Sequence, residues 1–131
     1  MNAAVPRPHH ILVVDDEPSL IALLSEIFSD RGYHVMAFTD PQAALAAVKR
    51  NSQSIDALIT DQTMPQLTGL ELIREIRRLR PELPVILASG YSDAINAETA
   101  YAQGVNHFLS KPYRMHDLAE RLATLLKKQN E

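Results

Sequence analysis

Four kinds of side chain in this 131-residue sequence could share one reaction, and each closes a short apolar run. Ile11-Leu12-Val13-Val14 leads into Asp15, Asp16 and Glu17, and Ala57-Leu58-Ile59-Thr60 leads into Asp61. Val85-Ile86-Leu87-Ala88 leads into Ser89-Gly90, and His107-Phe108-Leu109-Ser110 leads into Lys111-Pro112. Carboxylates gathered at about 4 Å repel by ~1 kcal/mol per pair in water and ~4 kcal/mol at an effective dielectric of ~20. A divalent cation removes that penalty, and an all-oxygen donor set without cysteine suits Mg²⁺ or Mn²⁺. Carboxylates, a hydroxyl and one compact ammonium around such an ion are the parts of a phosphoryl-transfer site.

Such a site requires the four runs to be parallel strands ending at one edge, where open α/β sheets bind ligands. The pattern between them supplies the helices. Leu20, Leu23, Leu24, Ile27 and Phe28 recur at helical spacing, with Gly32 as a stop. His34–Phe38 reads as a further strand. Asp40-Pro41 is an N-cap followed by proline at the first helical position, opening a helix through Leu45 and Val48. Thr68 caps a helix with the buried stripe Leu72, Ile73, Ile76 and Leu79, ended by Pro81 and Pro84. Ser92 or Asp93 opens a helix through Ile95, Thr99 and Tyr101 to Gly104. A last helix carries Leu118, Leu122, Leu125 and Leu126 on one face, with Lys127 and Lys128 suited to its C-terminal dipole. Five βα units in series predict a parallel sheet covered by helices on both faces.

Taken singly, every piece has an ordinary reading. Asp15, Asp16 and Glu17 could cap a helix, Asp61 could be a turn residue, Ser89-Gly90 a turn, and Lys111 a solvated loop residue. Their coincidence after the first, third, fourth and fifth strands is what favours a shared site.

Composition sets the class. Hydrophobic content of 46% with 22% charged residues fits a globular domain. A net charge of −3 argues against direct nucleic-acid binding. The absence of cysteine excludes disulfides and thiolate metal sites. No run approaches the ~20 apolar residues of a membrane span, so membrane insertion is not expected. Residues 1–10, broken by Pro6 and Pro8, read as a disordered lead-in, residues 11–128 as the folded domain, and 129–131 as a tail. His9, His10, His34, His107 and His116 are scattered, and none pairs at metal-ligand spacing in the sequence.

From Ile11 to Leu126 the chain closely resembles the receiver domain of two-component response regulators. The resemblance rests on Val13-Val14-Asp15-Asp16-Glu17, on Asp61-Gln62-Thr63-Met64-Pro65 with Gly69 following, on Ala88-Ser89-Gly90 and on Lys111-Pro112. It implies a flavodoxin-like (βα)5 fold, a doubly wound five-stranded parallel sheet of order 2-1-3-4-5. It also implies a phosphoacceptor that promotes its own phosphorylation and dephosphorylation rather than an enzyme with a separate substrate. Asp61 would be the nucleophile, with Lys111 and Ser89 receiving the phosphoryl oxygens. Asp16, Asp61 and the carbonyl of Thr63 would hold Mg²⁺, or Mn²⁺, with Asp15 acting through water. The family's lysine precedes a cis peptide bond, which Lys111-Pro112 permits at low cost.

Further expectations come from the same likeness. Ser89 and Phe108 would be the switch residues, and Thr63 and Tyr91 would tune dephosphorylation. The partners would be a histidine kinase or histidine phosphotransfer protein and, for output, a separate protein or a fused kinase. The setting would be cytoplasmic. The helix between Ser92 and Gly104 carries no Lys or Arg, which speaks against the charge-paired dimer of the DNA-binding subfamily. The sequence ends after the fifth helix, which leaves output to another protein or to the rest of a hybrid kinase.

Two other readings compete with this one. A Mg²⁺-dependent phosphatase of the haloacid-dehalogenase type needs a second aspartate two residues after the first, where this chain has Thr63. An interaction module that is never phosphorylated would not need Asp16, Asp61, Ser89 and Lys111 together.

Overall fold

Successive side chains of a strand point to opposite faces, so a run that is apolar throughout needs cover on both sides. The computed structural model, which describes residues 8–90 and 95–129, provides it. Strands β1 (His10–Val14), β2 (His34–Phe38), β3 (Ala57–Asp61), β4 (Val85–Ser89) and β5 (His107–Ser110) form one parallel sheet. Their order is β2-β1-β3-β4-β5, as the family resemblance implies. Helices α1 (Pro18–Asp30), α2 (Pro41–Arg50), α3 (Gly69–Leu79), α4 (Ala97–Ala102) and α5 (Met115–Gln129) alternate with the strands.

The alternation divides the core in two. Leu12, Val14, Leu58 and Leu87 pack with Leu45, Leu72 and Ile76 beneath α2 and α3. Ile11, Val13, Ile59 and Ile86 point the other way, onto Leu24 and Phe28 of α1 and Leu118 and Leu122 of α5. Each such side chain contributes ~1.5–3 kcal/mol on full burial, which fixes the faces of the strands and hence the direction of their ends. From β1 the chain steps to β2 on one side and later to β3 on the other. The carboxyl ends of β1 and β3 therefore flank a crevice at the topological switch point.

Local signals set the helix ends. The Asp40 carboxylate accepts from the Gln42 N–H, and Pro41 begins α2. Thr68 and Glu71 form a reciprocal capping box at the start of α3. Gly32 and Gly104 both adopt φ of +90°, the left-handed stop expected after a helix.

Four details differ from the sequence reading. Strand β1 begins at His10, because His10 N–H donates to the Asp56 carboxylate and His34 N–H to the His9 carbonyl. Leu79, assigned to a buried stripe, is 40% exposed at the end of α3, and Leu23 of α1 is 43% exposed. Helix α4 is capped by Asn96, whose side chain accepts from Thr99 N–H, so Ile95 lies ahead of the helix. Ser92 and Asp93, expected to open it, lie outside the described residues.

Candidate functional site

The acidic loop after β1 and the end of β3 meet at the switch point. One carboxylate oxygen from each of Asp15, Asp16 and Asp61 lies within 4.8 Å of the others. Asp15 and Asp61 are buried, at 4% and 6% exposure, while Asp16 faces solvent. Asp15 is held by its own loop, its Oδ1 accepting from the Glu17 N–H at 2.9 Å. Asp61 is held from below by the sheet and from above by the turn into α3. Gln62 N–H donates to the Ala88 carbonyl at 2.8 Å, and Gly69 N–H to the Gln62 carbonyl at 2.9 Å.

Lys111 reaches this cluster from β5. Its Nζ lies 2.9 Å from Asp15 Oδ2, 3.2 Å from Asp61 Oδ1 and 3.7 Å from Glu17 Oε1. The peptide between Lys111 and Pro112 is cis, as the resemblance implies. Burial works against the Lys111 ammonium, but hydrogen bonds and charges from Asp15 and Asp61 outweigh it and hold its pKa above the ordinary lysine value. The Asp61 carboxyl moves the other way. Burial first, then the Asp15 charge, push it up to about 6 against the pull of Lys111. One ammonium among these carboxylates leaves the cluster short of positive charge.

Ser89 ends β4 and is buried, with Oγ donating to the Gly90 carbonyl at 3.3 Å. Phe108 is half-buried in β5 and packs against the core beneath α2 and α3. Its N–H donates to the Tyr101 hydroxyl at 3.2 Å, joining β5 to α4. Thr63 is exposed in the loop after β3. Tyr91 lies outside the described residues.

The structure thus brings Asp15, Asp16, Asp61 and Lys111 together at the sheet edge on which Ser89 also lies, while Phe108 sits further back, paired with Leu87 within the sheet. It adds Tyr113, which sequence reasoning passed over. Burial pushes its hydroxyl up to about 12, against the pull of the nearby Lys111 charge. Tyr113, Pro112 and Met115 form a largely apolar hollow of about 360 Å³ with Glu17, Leu20 and Lys111, beside the carboxylates. The signal that could have found it is its place two residues after the lysine.

The donors fit a hard divalent cation. They are oxygen-only, two are buried, and burial together with the Asp15 charge pushes the Asp61 carboxyl up to about 6, so a bound cation would relieve a charge that the site otherwise disfavours.

Comparison with known proteins gives the class. Residues 11–123 match the model of the response regulator receiver domain, and the chain belongs to that family. Receiver domains are phosphoacceptor switch domains of two-component systems rather than enzymes in the ordinary sense. The TorCAD operon transcriptional regulatory protein TorR of Escherichia coli is 35% identical over 91% of this chain and 50% of its own length. Transcriptional regulatory protein GlrR of the same organism is 34% identical over 81% of this chain and 23% of its own. The chain therefore spans half or less of these curated relatives. A receiver domain structure from Clostridium thermocellum superposes with a TM-score of 0.87, at 30% identity, covering 93% of this chain and 97% of that one. Among the described residues no helix is long and apolar enough to cross a membrane.

Proposed function

We propose that Asp61 accepts a phosphoryl group from the phosphohistidine of a histidine kinase or histidine phosphotransfer protein, and that the product is read at the surface around Ser89 and Phe108. The observation that carries this reading is the position of Lys111 Nζ, 3.2 Å from Asp61 Oδ1 and 2.9 Å from Asp15 Oδ2. A cation so placed faces whatever anion is attached to Asp61.

Asp16, Asp61 and the carbonyl of Thr63, with Asp15 through water, are the groups that would hold Mg²⁺ or Mn²⁺. The ion, when bound, supplies positive charge next to the reacting oxygens. The chain's own residues do the rest. Asp61 forms a new P–O bond as the P–N bond to the donor imidazole breaks. Lys111 donates to one phosphoryl oxygen, and the Ser89 hydroxyl turns from the Gly90 carbonyl to another. Lysine suits this role as a compact, mobile charge.

The apolar hollow between Leu20, Tyr113 and Met115 adjoins Lys111, so a donor helix seated there would bring its phosphohistidine to Asp61. A gained hydrogen bond to a charged group is worth ~1.5–3 kcal/mol, or roughly 10- to 150-fold in a two-state equilibrium. The Ser89 movement can therefore shift Phe108 without locking it. Phe108 has no hydroxyl, so its part in the switch is packing alone. Output passes through contact of this domain with another protein or with another part of the same polypeptide.

The test is intact-mass analysis after incubation with acetyl phosphate and Mg²⁺. One added phosphoryl group is expected, absent in Asp61→Asn and lost together with Mg²⁺ binding in Asp16→Ala. Unchanged labelling of Asp61→Asn would refute the assignment.

A further inference from the structure

At the end of the sheet opposite Asp61, two histidine side chains stand side by side on neighbouring strands. His10 of β1 pairs with His34 of β2. Ile11 pairs with Ala57 of β3, which sets Asp56 beside His10. In-register residues of parallel strands share a face. Leu12, Met36 and Leu58, each two residues further along, all belong to the core beneath α2 and α3. His34 and His10 therefore share that same face, while Asp56 stands just before β3.

The pair is ordered. The two imidazole rings lie parallel, with centroids 4.5 Å apart and planes within 10°. Asp56 is tied to His10 twice: its carboxylate accepts from the His10 N–H at 2.7 Å, and its own N–H donates to the His10 carbonyl at 2.8 Å. His9 points to the other face, with its ring edge-on to Tyr33 at 6.4 Å, and is not part of the pair. None of this serves the phosphoacceptor site, which occupies the other end of the strands.

We propose that His10 and His34 are the ligands of a transition-metal site selective for borderline ions such as Zn²⁺, with Asp56 holding the main chain of His10 in place. Imidazole suits Zn²⁺, Cu²⁺ and Ni²⁺, whereas the oxygen-only cluster at Asp61 suits Mg²⁺. Neighbouring strands are spaced by ~4.8 Å and Zn–N bonds are ~2.0–2.1 Å, so two rings on adjacent strands can share one ion. They reach it by turning out of the stacked arrangement about χ1 and χ2. His34 is exposed, so its ring has room to turn and water can complete the coordination. Occupancy would fasten β1 to β2 at the end of the sheet where the chain enters the fold. The proposal does not depend on phosphorylation of Asp61.

The experiment is a calorimetric titration of zinc chloride into Mg²⁺-saturated protein, with Cu²⁺ electron paramagnetic resonance on the same variants. One equivalent of Zn²⁺ should bind, and His34→Ala should weaken it about tenfold or more. His9→Ala, His116→Ala and Asp61→Asn should leave it unchanged. The Cu²⁺ spectrum should show two nitrogen ligands in the wild type and one in His34→Ala. His34 is exposed, so its removal leaves the fold intact, checked by circular dichroism. Zinc binding that is undiminished in His34→Ala, or that disappears in Asp61→Asn or His9→Ala, overturns the proposal.

Discussion

The main-chain N–H of Lys111 donates to the carbonyl of Ser89 at 2.8 Å. The two residues assigned to the phosphoryl oxygens are thus fixed to each other through backbone, while their side chains remain free to rearrange independently of that bond. Pairing of Ser89 with Ser110 across β4 and β5 extends the same coupling. A pull on the Ser89 hydroxyl is therefore expected to reach β5, which carries Phe108 and ends just before Lys111.

Replacing Lys111 separates metal binding from switching. Its ammonium occupies the carboxylates that a cation would use, so Lys111→Ala should bind Mg²⁺ as well as the wild type or better. The phosphorylation-dependent change at Ser89 and Phe108 should shrink roughly tenfold or more as an equilibrium constant. Amide chemical shifts in Mg²⁺ and acetyl phosphate titrations report both quantities. Loss of Mg²⁺ affinity with the fold intact would contradict the role given to Lys111.

Asp61 gives the metal-free protein a pH dependence of definite sign. Its carboxyl lies at about 6 when folded, above the ordinary 3.8. Between those values the folded state holds more protons than the unfolded state, so stability falls as pH rises through this window. The loss is at most about 3 kcal/mol. Asp61→Asn removes the buried charge, so it should be more stable than the wild type at pH 7.5 without Mg²⁺, with the difference closing below about pH 4. Urea unfolding across the range measures it. A gap that widened toward acid would have the wrong sign.

The chemistry of the site was more legible in the sequence than its geometry. Asp15, Asp61, Ser89 and Lys111 announce themselves because each follows an apolar run, and parallel strands of equal length bring such ends to one edge. Caps at Asp40 and Thr68 are equally local. What the sequence does not carry is register and packing. His10 and His34 sit far apart along the chain and meet only because β1 and β2 pair in register. Leu79 keeps helical spacing with Ile76, yet it occupies the last turn of α3, beyond the reach of the sheet. The start of α4 is not legible in the sequence because Ser92, Asp93 and Asn96 are all good caps, and local chemistry does not rank them.

Phosphoaspartate lifetime is expected to depend on Thr63 and Tyr91, the positions two beyond Asp61 and two beyond Ser89. Thr63 is exposed next to the acceptor and is no strong base, so it does little to activate a hydrolytic water. A moderately long lifetime follows. Thr63→Glu or Thr63→Gln should shorten it by orienting water for in-line attack, and Tyr91→Ala by removing bulk. Acid-quenched decay curves of the three variants and the wild type decide this. Identical rates would show that water access is governed elsewhere.

Gly69 lies tightly against the main chain of Asp61. A Cβ at this position would run into the Asp61 carbonyl oxygen and stand 2.7 Å from Leu87 Cδ1. The obstacle on one side is backbone, and on the other a fully buried leucine, so neither can give way cheaply. Overpacking of this kind costs ~1–3 kcal/mol. Gly69→Ala must therefore push the first turn of α3 away from β3, breaking the bond from Gly69 N–H to the Gln62 carbonyl and tilting Asp61 away from Lys111. Two effects should appear together: lower stability by about 1–3 kcal/mol in urea, and slower labelling by acetyl phosphate even under conditions where the variant is fully folded. The second separates a misplaced acceptor from a merely weakened domain. If labelling per folded molecule were unchanged, the close approach of α3 to Asp61 would matter for stability alone.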